Sequence, residues 1–168
     1  MPELQRLRPD HAPALLAFER ENRAFFAASV PDRGDAYFTD FDARHAALLA
    51  EQSAGISHFH VLIDPDGEVL GRFNLMDAVD GTAELGFRMA EKATNRGLAT
   101  ATVHHLCTLA ATDYALPTLR ARAAVTNTPS RTVLTRTGFT PTGETLHLDG
   151  RPALAYVRRA GQGTVSPA

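Results

Sequence analysis

Within this 168-residue chain, the stretch best suited to chemistry is Asn95-Arg96-Gly97-Leu98-Ala99-Thr100. A cation, a glycine and a small residue meet where a helix is about to start, and the unpaired backbone N–H groups and macrodipole of a helix start favour an anion. A phosphate is the natural candidate. Gly97 lets the backbone come close, Ala99 puts little side chain in the way, and Arg96 adds charge-assisted pairing. Taken alone, the same residues also fit an ordinary strand-to-helix connection with a tolerated glycine. There is no Lys-Ser or Lys-Thr after the glycine and no second glycine three residues on, so nucleoside triphosphates and dinucleotides fit poorly.

The other reactive side chains are scattered. In Thr82 to Met89, apolar Ala83, Leu85, Phe87 and Met89 alternate with polar or small residues, which places Glu84 and Arg88 on one face of a strand. His58 and His60 share a strand face but have no nearby third ligand, so packing is the simpler reading and no metal is expected. His104 and His105 point in different helical directions. Cys107 falls mid-helix on or near an apolar stripe and reads as an inert core thiol.

These residues need elements to position them. From Gly97 onward Ala99, Val103, Leu106, Ala110 and Tyr114 recur at helical steps. Before that, Glu3 to Arg8 reads as a short strand followed by a helix capped by Asp10. The segment after Glu21 reads as a loop or broken helix. It concentrates Phe25, Phe26, Tyr37, Phe38 and Phe41, either as a satellite core or as a wall of an acceptor pocket. Asp40 to Gln52 is helical. His58 to Ile63 and Glu68 to Met76 flank Asp64-Pro65-Asp66-Gly67 as an antiparallel hairpin, and the Glu84 strand extends it into a meander. After the long helix, Leu119 to Val125 alternates again, and strand-helix-strand implies a right-handed crossover with parallel pairing to the Glu84 strand. Thr126 to Thr137 is a short helix capped by Asn127 or Thr128, and a hairpin over Phe139 to Arg158 closes the chain.

Composition bounds the function. The chain is 44% hydrophobic with a net charge of −2 and one cysteine. That describes one mixed α/β domain with an adequate core, expected to be soluble, reduced and cytoplasmic. The charge gives no global attraction to nucleic acid, and neither a signal peptide nor a membrane span is legible.

The order of elements, the turn NRGLAT after ELGFRM, and the distal NTPSRTVLTRTGF together resemble the GNAT superfamily of N-acetyltransferases, over nearly the whole chain. Asn127, Ser130 and Gly138-Phe139, with the early ENRAFF and GDAYFT segments, look most like its branch of ribosomal-protein N-terminal alanine acetyltransferases. The chain reads as a single domain over residues 1–159, and 160–168, which lack an apolar pattern, as a frayed tail. The resemblance adds the form of the sheet and the ligand. The sheet would be an antiparallel meander plus a splayed parallel pair, with helices on both faces. It implies acetyl-CoA as co-substrate, held by the main chain of Phe87, Arg88 and Met89, by Asn95 to Thr100, and by Asn127. The acceptor would be an amine on a protein N-terminus or a small molecule, and the enzyme a monomer or homodimer.

Acetyl transfer to an amine needs a neutral amine, an oxyanion donor and a proton for the departing sulfur. On the resemblance, Glu84 is the candidate base and Ser130 the group that assists the sulfur. Two positions depart from the family pattern: Thr94 stands where Gln or Arg is usual, and Leu134 where many members carry a tyrosine. They motivate the competing reading, a non-catalytic acyl-CoA-binding regulatory module.

Overall fold

The alternation of Thr82 to Met89 is realised as a central strand, with Ala83, Leu85 and Met89 buried. In the computed structural model, which describes residues 1–161, this strand, β4 (Thr82–Met89), sits in the middle of a seven-stranded sheet. The others are β1 (Glu3–Arg6), β2 (His58–Ile63), β3 (Val69–Val79), β5 (Thr118–Ala124), β6 (Thr140–Leu148) and β7 (Arg151–Arg159). Their spatial order is β1-β2-β3-β4-β5-β7-β6. The meander β2-β3-β4 is antiparallel and β4-β5 is parallel, as the hairpin turns and the strand-helix-strand crossover predict. The closing hairpin enters with β7 against β5, which leaves β6 at the edge.

Both faces of the sheet carry helices. On one lies α5 (Leu98–Thr112), which buries Val103, Leu106, Cys107 and Ala110. Just past its end, Tyr114 stacks on His58 with ring centroids 4.0 Å apart and meets His60 through its hydroxyl at 2.7 Å. On the opposite face, α1 (Ala12–Glu21), α2 (Arg23–Ala27), α3 (Asp35–Thr39) and α4 (Phe41–Ser53) cover the meander. Glu19 of α1 reaches Arg72 of β3 and Arg88 of β4 there. Gln52 of α4 donates to Leu7 O and accepts from Phe59 N, satisfying backbone that no strand pairs.

Two expectations are corrected. Asp10 caps no helix, because a 3-10 turn over Pro9–His11 precedes α1 and the Asp10 carboxylate takes the Arg8 guanidinium at 3.0 Å instead. The segment after Glu21 takes the broken-helix alternative, as two short helices, and α6 (Thr128–Arg136) is a turn shorter than the sequence reading. Of the terminal segment, Ala160 is anchored by its N–H to Pro117 O at 2.7 Å, while the expected tail over 162–168 lies outside the described residues.

Candidate active site

The parallel pair is only three rungs long: Thr82 faces Thr118, Ala83 faces Leu119 and Glu84 faces Arg120. Beyond Glu84, β4 runs on to Met89 against β3, and β5 runs on to Ala124 against β7. Each strand is held from its outer side, so their facing edges part. Backbone groups along the gap have no strand partner and need one from elsewhere. A cleft of about 150 Å³ opens there. Leu85, Gly86 and Phe87 line one wall, and the small side chains of Ala121, Ala123 and Ala124 keep the other wall from filling it.

The NRGLAT turn follows β4 at the end where the strands have parted. A 3-10 turn over Glu91–Ala93 leads into it, and Asn22 Oδ1 fixes that turn by accepting from Glu91 N at 2.9 Å. Asn95 and Gly97 both adopt positive φ, 60° and 73°, and Gly97 is the residue that starts α5. Among the described residues, none of the backbone N–H groups from Asn95 to Thr100 has a hydrogen-bond partner. A Cβ built on Gly97 would meet nothing within 4 Å, so the glycine is needed for its backbone conformation rather than for space in this chain. Arg96 is exposed. Its guanidinium makes one long contact, Nη1 donating to Lys92 O at 3.5 Å. Thr94 is engaged locally, its hydroxyl donating to Glu91 O at 2.7 Å. These features fit a bound diphosphate: unpaired donors in a turn, a helix start and an exposed guanidinium.

Of the candidate catalytic residues, Ser130 reaches the cleft, whereas Glu84 stands next to Leu85 without lining it. Ser130 and Asn127 line it from α6, where Asn127 Oδ1 caps the helix by accepting from Ser130 N at 3.3 Å. Among the described residues the Ser130 hydroxyl makes no hydrogen bond, and Leu134, one turn further along α6, adds an apolar lining. Glu84 sits at the last paired rung, and its Oε2 accepts from Arg122 Nη2 at 2.9 Å; Arg122 is itself on the lining. Of the cofactor candidates on β4, Phe87 lines the cleft. Arg88 turns its side chain to Glu19, and Met89 is buried.

Sequence reading missed the far side of the cleft. Asp149, from the turn between β6 and β7, and Arg151, the first residue of β7, line it together with Ser29, Val30 and Pro31. Arg151 Nη1 donates to Ser29 O at 3.1 Å, tying the two loops across 122 residues of sequence. Asp149-Gly150 was legible only as a turn, since nothing local says what a turn overhangs. The five clustered aromatics do not line this cleft; Phe26, Tyr37 and Phe41 are buried under α1 to α4 instead.

His58 and His60 are held by Tyr114, and burial pushes His60 down to about 4. Burial pushes the Cys107 thiol up, away from nucleophilic character. Among the described residues, no group of three His, Cys, Asp or Glu side chains is gathered as a metal ion would require.

Residues 3–140 match the family model described as an acetyltransferase (GNAT) domain. No curated protein sequence matches the chain. Among solved structures, the ribosomal-protein-S5-alanine acetyltransferase from Vibrio fischeri superposes with a TM-score of 0.88 at 16% identity, covering 96% of this chain and 94% of that one. RimJ from Mycobacterium smegmatis, solved in complex with CoA-disulfide, gives 0.83 at 25% identity over 94% of this chain and 81% of that one. The microcin C7 self-immunity acetyltransferase MccE, in complex with acetyl-CoA and AMP, gives 0.81 at 16% identity over 94% and 92%.

Proposed function

Because the chain belongs to the GNAT family of acetyltransferases, we propose that it carries the acetyl group of acetyl-CoA to the amine of a peptide or protein N-terminus by direct attack. The observation that carries this reading is the parting of β4 and β5 immediately after Glu84 and Arg120, which leaves two unpaired strand edges beside a turn of unpaired N–H groups. The Asn95 to Thr100 turn would hold the pyrophosphate and the edge of β4 from Phe87 to Met89 the pantetheine amides, with Asn127 on the opposite wall.

When bound, acetyl-CoA supplies an acyl carbon activated by its thioester. The chain's own groups do the rest. Glu84, directly or through water, takes the proton that the amine must lose as the C–N bond forms, and the Ser130 hydroxyl meets the sulfur as the C–S bond breaks. The alanine-lined wall and Leu134 limit water at the point of transfer. A peptide N-terminus is favoured as acceptor by two segments, Ser29–Pro31 and Leu148–Arg151, that line the cleft and leave room for an extended chain between them.

Leu134 also supports a second reading, a module that binds acyl-CoA without turning it over, since an apolar side chain on α6 cannot protonate a thiolate. One experiment separates them. Incubation with acetyl-CoA and a panel of amines, with free thiol titrated, is expected to show release that depends on a peptide amine. Thiol release that no amine accelerates overturns the transferase reading.

A further inference from the structure

Beside the main cleft lies a second cavity of about 10 Å³, and Pro31 lines both. Its charged walls are Glu19, Asp32, Arg23, Arg33 and Arg88, with Phe26 and Phe38 beside them. Its volume is room for little more than one oxygen-sized group.

The charges around it are unevenly shared. Glu19 is 1% exposed. It accepts from Arg33 Nε at 3.0 Å, Arg72 Nη1 at 2.8 Å and Arg88 Nη1 at 3.4 Å. Arg72 and Arg88 are directly opposed in β3 and β4, an arrangement of like charges that repels unless something between them compensates. Glu19 is that compensation for three guanidiniums at once. The remaining cation, Arg23, is already committed through Nε and Nη2 to Asp32 and Asp35, so those carboxylates relieve none of it. Burial, and then the charge of Arg33, hold Arg88 at about 10, below its ordinary value.

Donors remain open on two of the cavity's cations. Among the described residues, Arg33 donates to protein only through Nε and Arg88 only through Nη1. The guanidiniums are nevertheless held in place, because Arg33 lies over the Tyr37 ring at 4.7 Å and Arg88 over the Phe26 ring at 4.6 Å. Fixed planar forks with unused N–H groups match a carboxylate. Their position relative to the cleft is fixed by the chain: Arg88 follows Phe87, which lines it, and Arg33 follows Pro31 by two residues. One strand residue spans about 3.3 Å. A group that reaches these arginines therefore belongs to a residue within a step or two of an amine seated in the cleft.

We propose that this cavity selects the acceptor, with Arg33 and Arg88 pairing a carboxylate carried on the first or second residue of the acceptor peptide. The proposal rests on the cleft being the acetyl-transfer site. It accounts for the aromatic Phe25 to Phe41 region as the support of a recognition site rather than as the cleft wall.

The test is calorimetric binding to the full chain in the presence of CoA, using isosteric peptide pairs: Ala-Asp-Ala against Ala-Asn-Ala, and Asp-Ala-Ala against Asn-Ala-Ala. In at least one pair the acid is expected to bind tighter by about 10-fold or more, as for a charge-assisted contact. Arg33→Met, at a partly exposed position that tolerates change, is expected to bring the acid peptide down to its amide partner. Arg33→Glu is expected to shift preference toward Ala-Lys-Ala. Equal binding of acid and amide by the unaltered protein in both pairs overturns the proposal, and so does a preference that survives Arg33→Met. Acid-selective binding without amine-dependent thiol release overturns the transferase reading and with it acceptor selection, leaving a carboxylate-binding site alone; transfer without acid preference overturns this proposal and leaves the transferase reading standing.

Discussion

Arg122 Nη2 donates to Glu84 Oε2 at 2.9 Å, just past the rung where the backbones of β4 and β5 stop pairing. The two side chains are 44% and 32% exposed, so water screens the pair and its share of stability is small, about 0–1 kcal/mol. Its effect is positional: it turns the carboxylate toward the β5 side of the gap.

Glu84→Gln keeps the size and much of the hydrogen bonding of the side chain but cannot take a proton. Its kcat is expected to fall by about 100-fold, with KM for acetyl-CoA little changed. Raising pH supplies neutral amine and should restore part of the rate. Steady-state kinetics from pH 6 to 9 check this, with Asp149→Asn as the comparison because Asp149 is the carboxylate on the cleft lining itself. A normal Glu84→Gln rate beside a depressed Asp149→Asn rate would move the base to the β6–β7 turn.

Two substitutions probe the Asn95 to Thr100 turn as the proposed pyrophosphate site. Arg96→Ala is expected to weaken CoA binding by about 1–3 kcal/mol through loss of a charge-assisted contact. Gly97→Ala meets no atom, yet at φ 73° it should cost about 1–2 kcal/mol of stability from conformation alone. Thermal unfolding with and without CoA separates the two. Arg96→Ala should lose ligand-dependent stabilisation, and Gly97→Ala should lower the melting temperature without ligand.

Glu19→Gln would leave Arg72, Arg88 and Arg33 without their shared anion. Breaking a buried charge network in this way costs about 3–5 kcal/mol, so denaturant unfolding should show a large loss. Substituting the partly exposed Arg33, which is 31% accessible against 7% for Arg72, should cost much less. A Glu19→Gln protein as stable as the parent would mean that the arginines find other partners.

His60 is held at about 4 against an ordinary 6.5, burial being the main cause. Its Nδ1 must donate to Phe73 O, so the neutral ring accepts at Nε2 from the Tyr114 hydroxyl. Between pH 6.5 and 4 the unfolded chain binds a proton that the folded chain does not. Stability is therefore expected to fall as pH drops through that window, by about 3 kcal/mol at most. The Glu19 carboxyl, which Arg72 and Arg33 hold below its usual range against the opposing effect of burial, adds its own loss only at lower pH. His60→Gln should flatten the slope between pH 6.5 and 5 in a urea series. An unchanged slope would assign it to other groups.

Local sequence determined the strands, the long helix, the parallel crossover and the glycine turn before α5. Each is written in residues that touch along a few positions: the alternation of Thr82 to Met89, the helical period from Ala99 to Tyr114, and a glycine where φ must be positive. The resemblance carried by NRGLAT and NTPSRTVLTRTGF extended this to Asn127 and Ser130, which do share a cleft. Tertiary structure decided the partners. Glu84 meets Arg122 rather than Arg88 because pairing with β5 ends at Arg120 and brings the next same-face residue within reach. Arg88 meets Glu19 from 69 residues away because α1 lies across β4. Asp149 and Arg151 reach the cleft because β7 inserts between β5 and β6, a strand order that no periodicity encodes. A residue's period reports which face it presents, whereas the group it meets there depends on the packing of elements far apart in the chain.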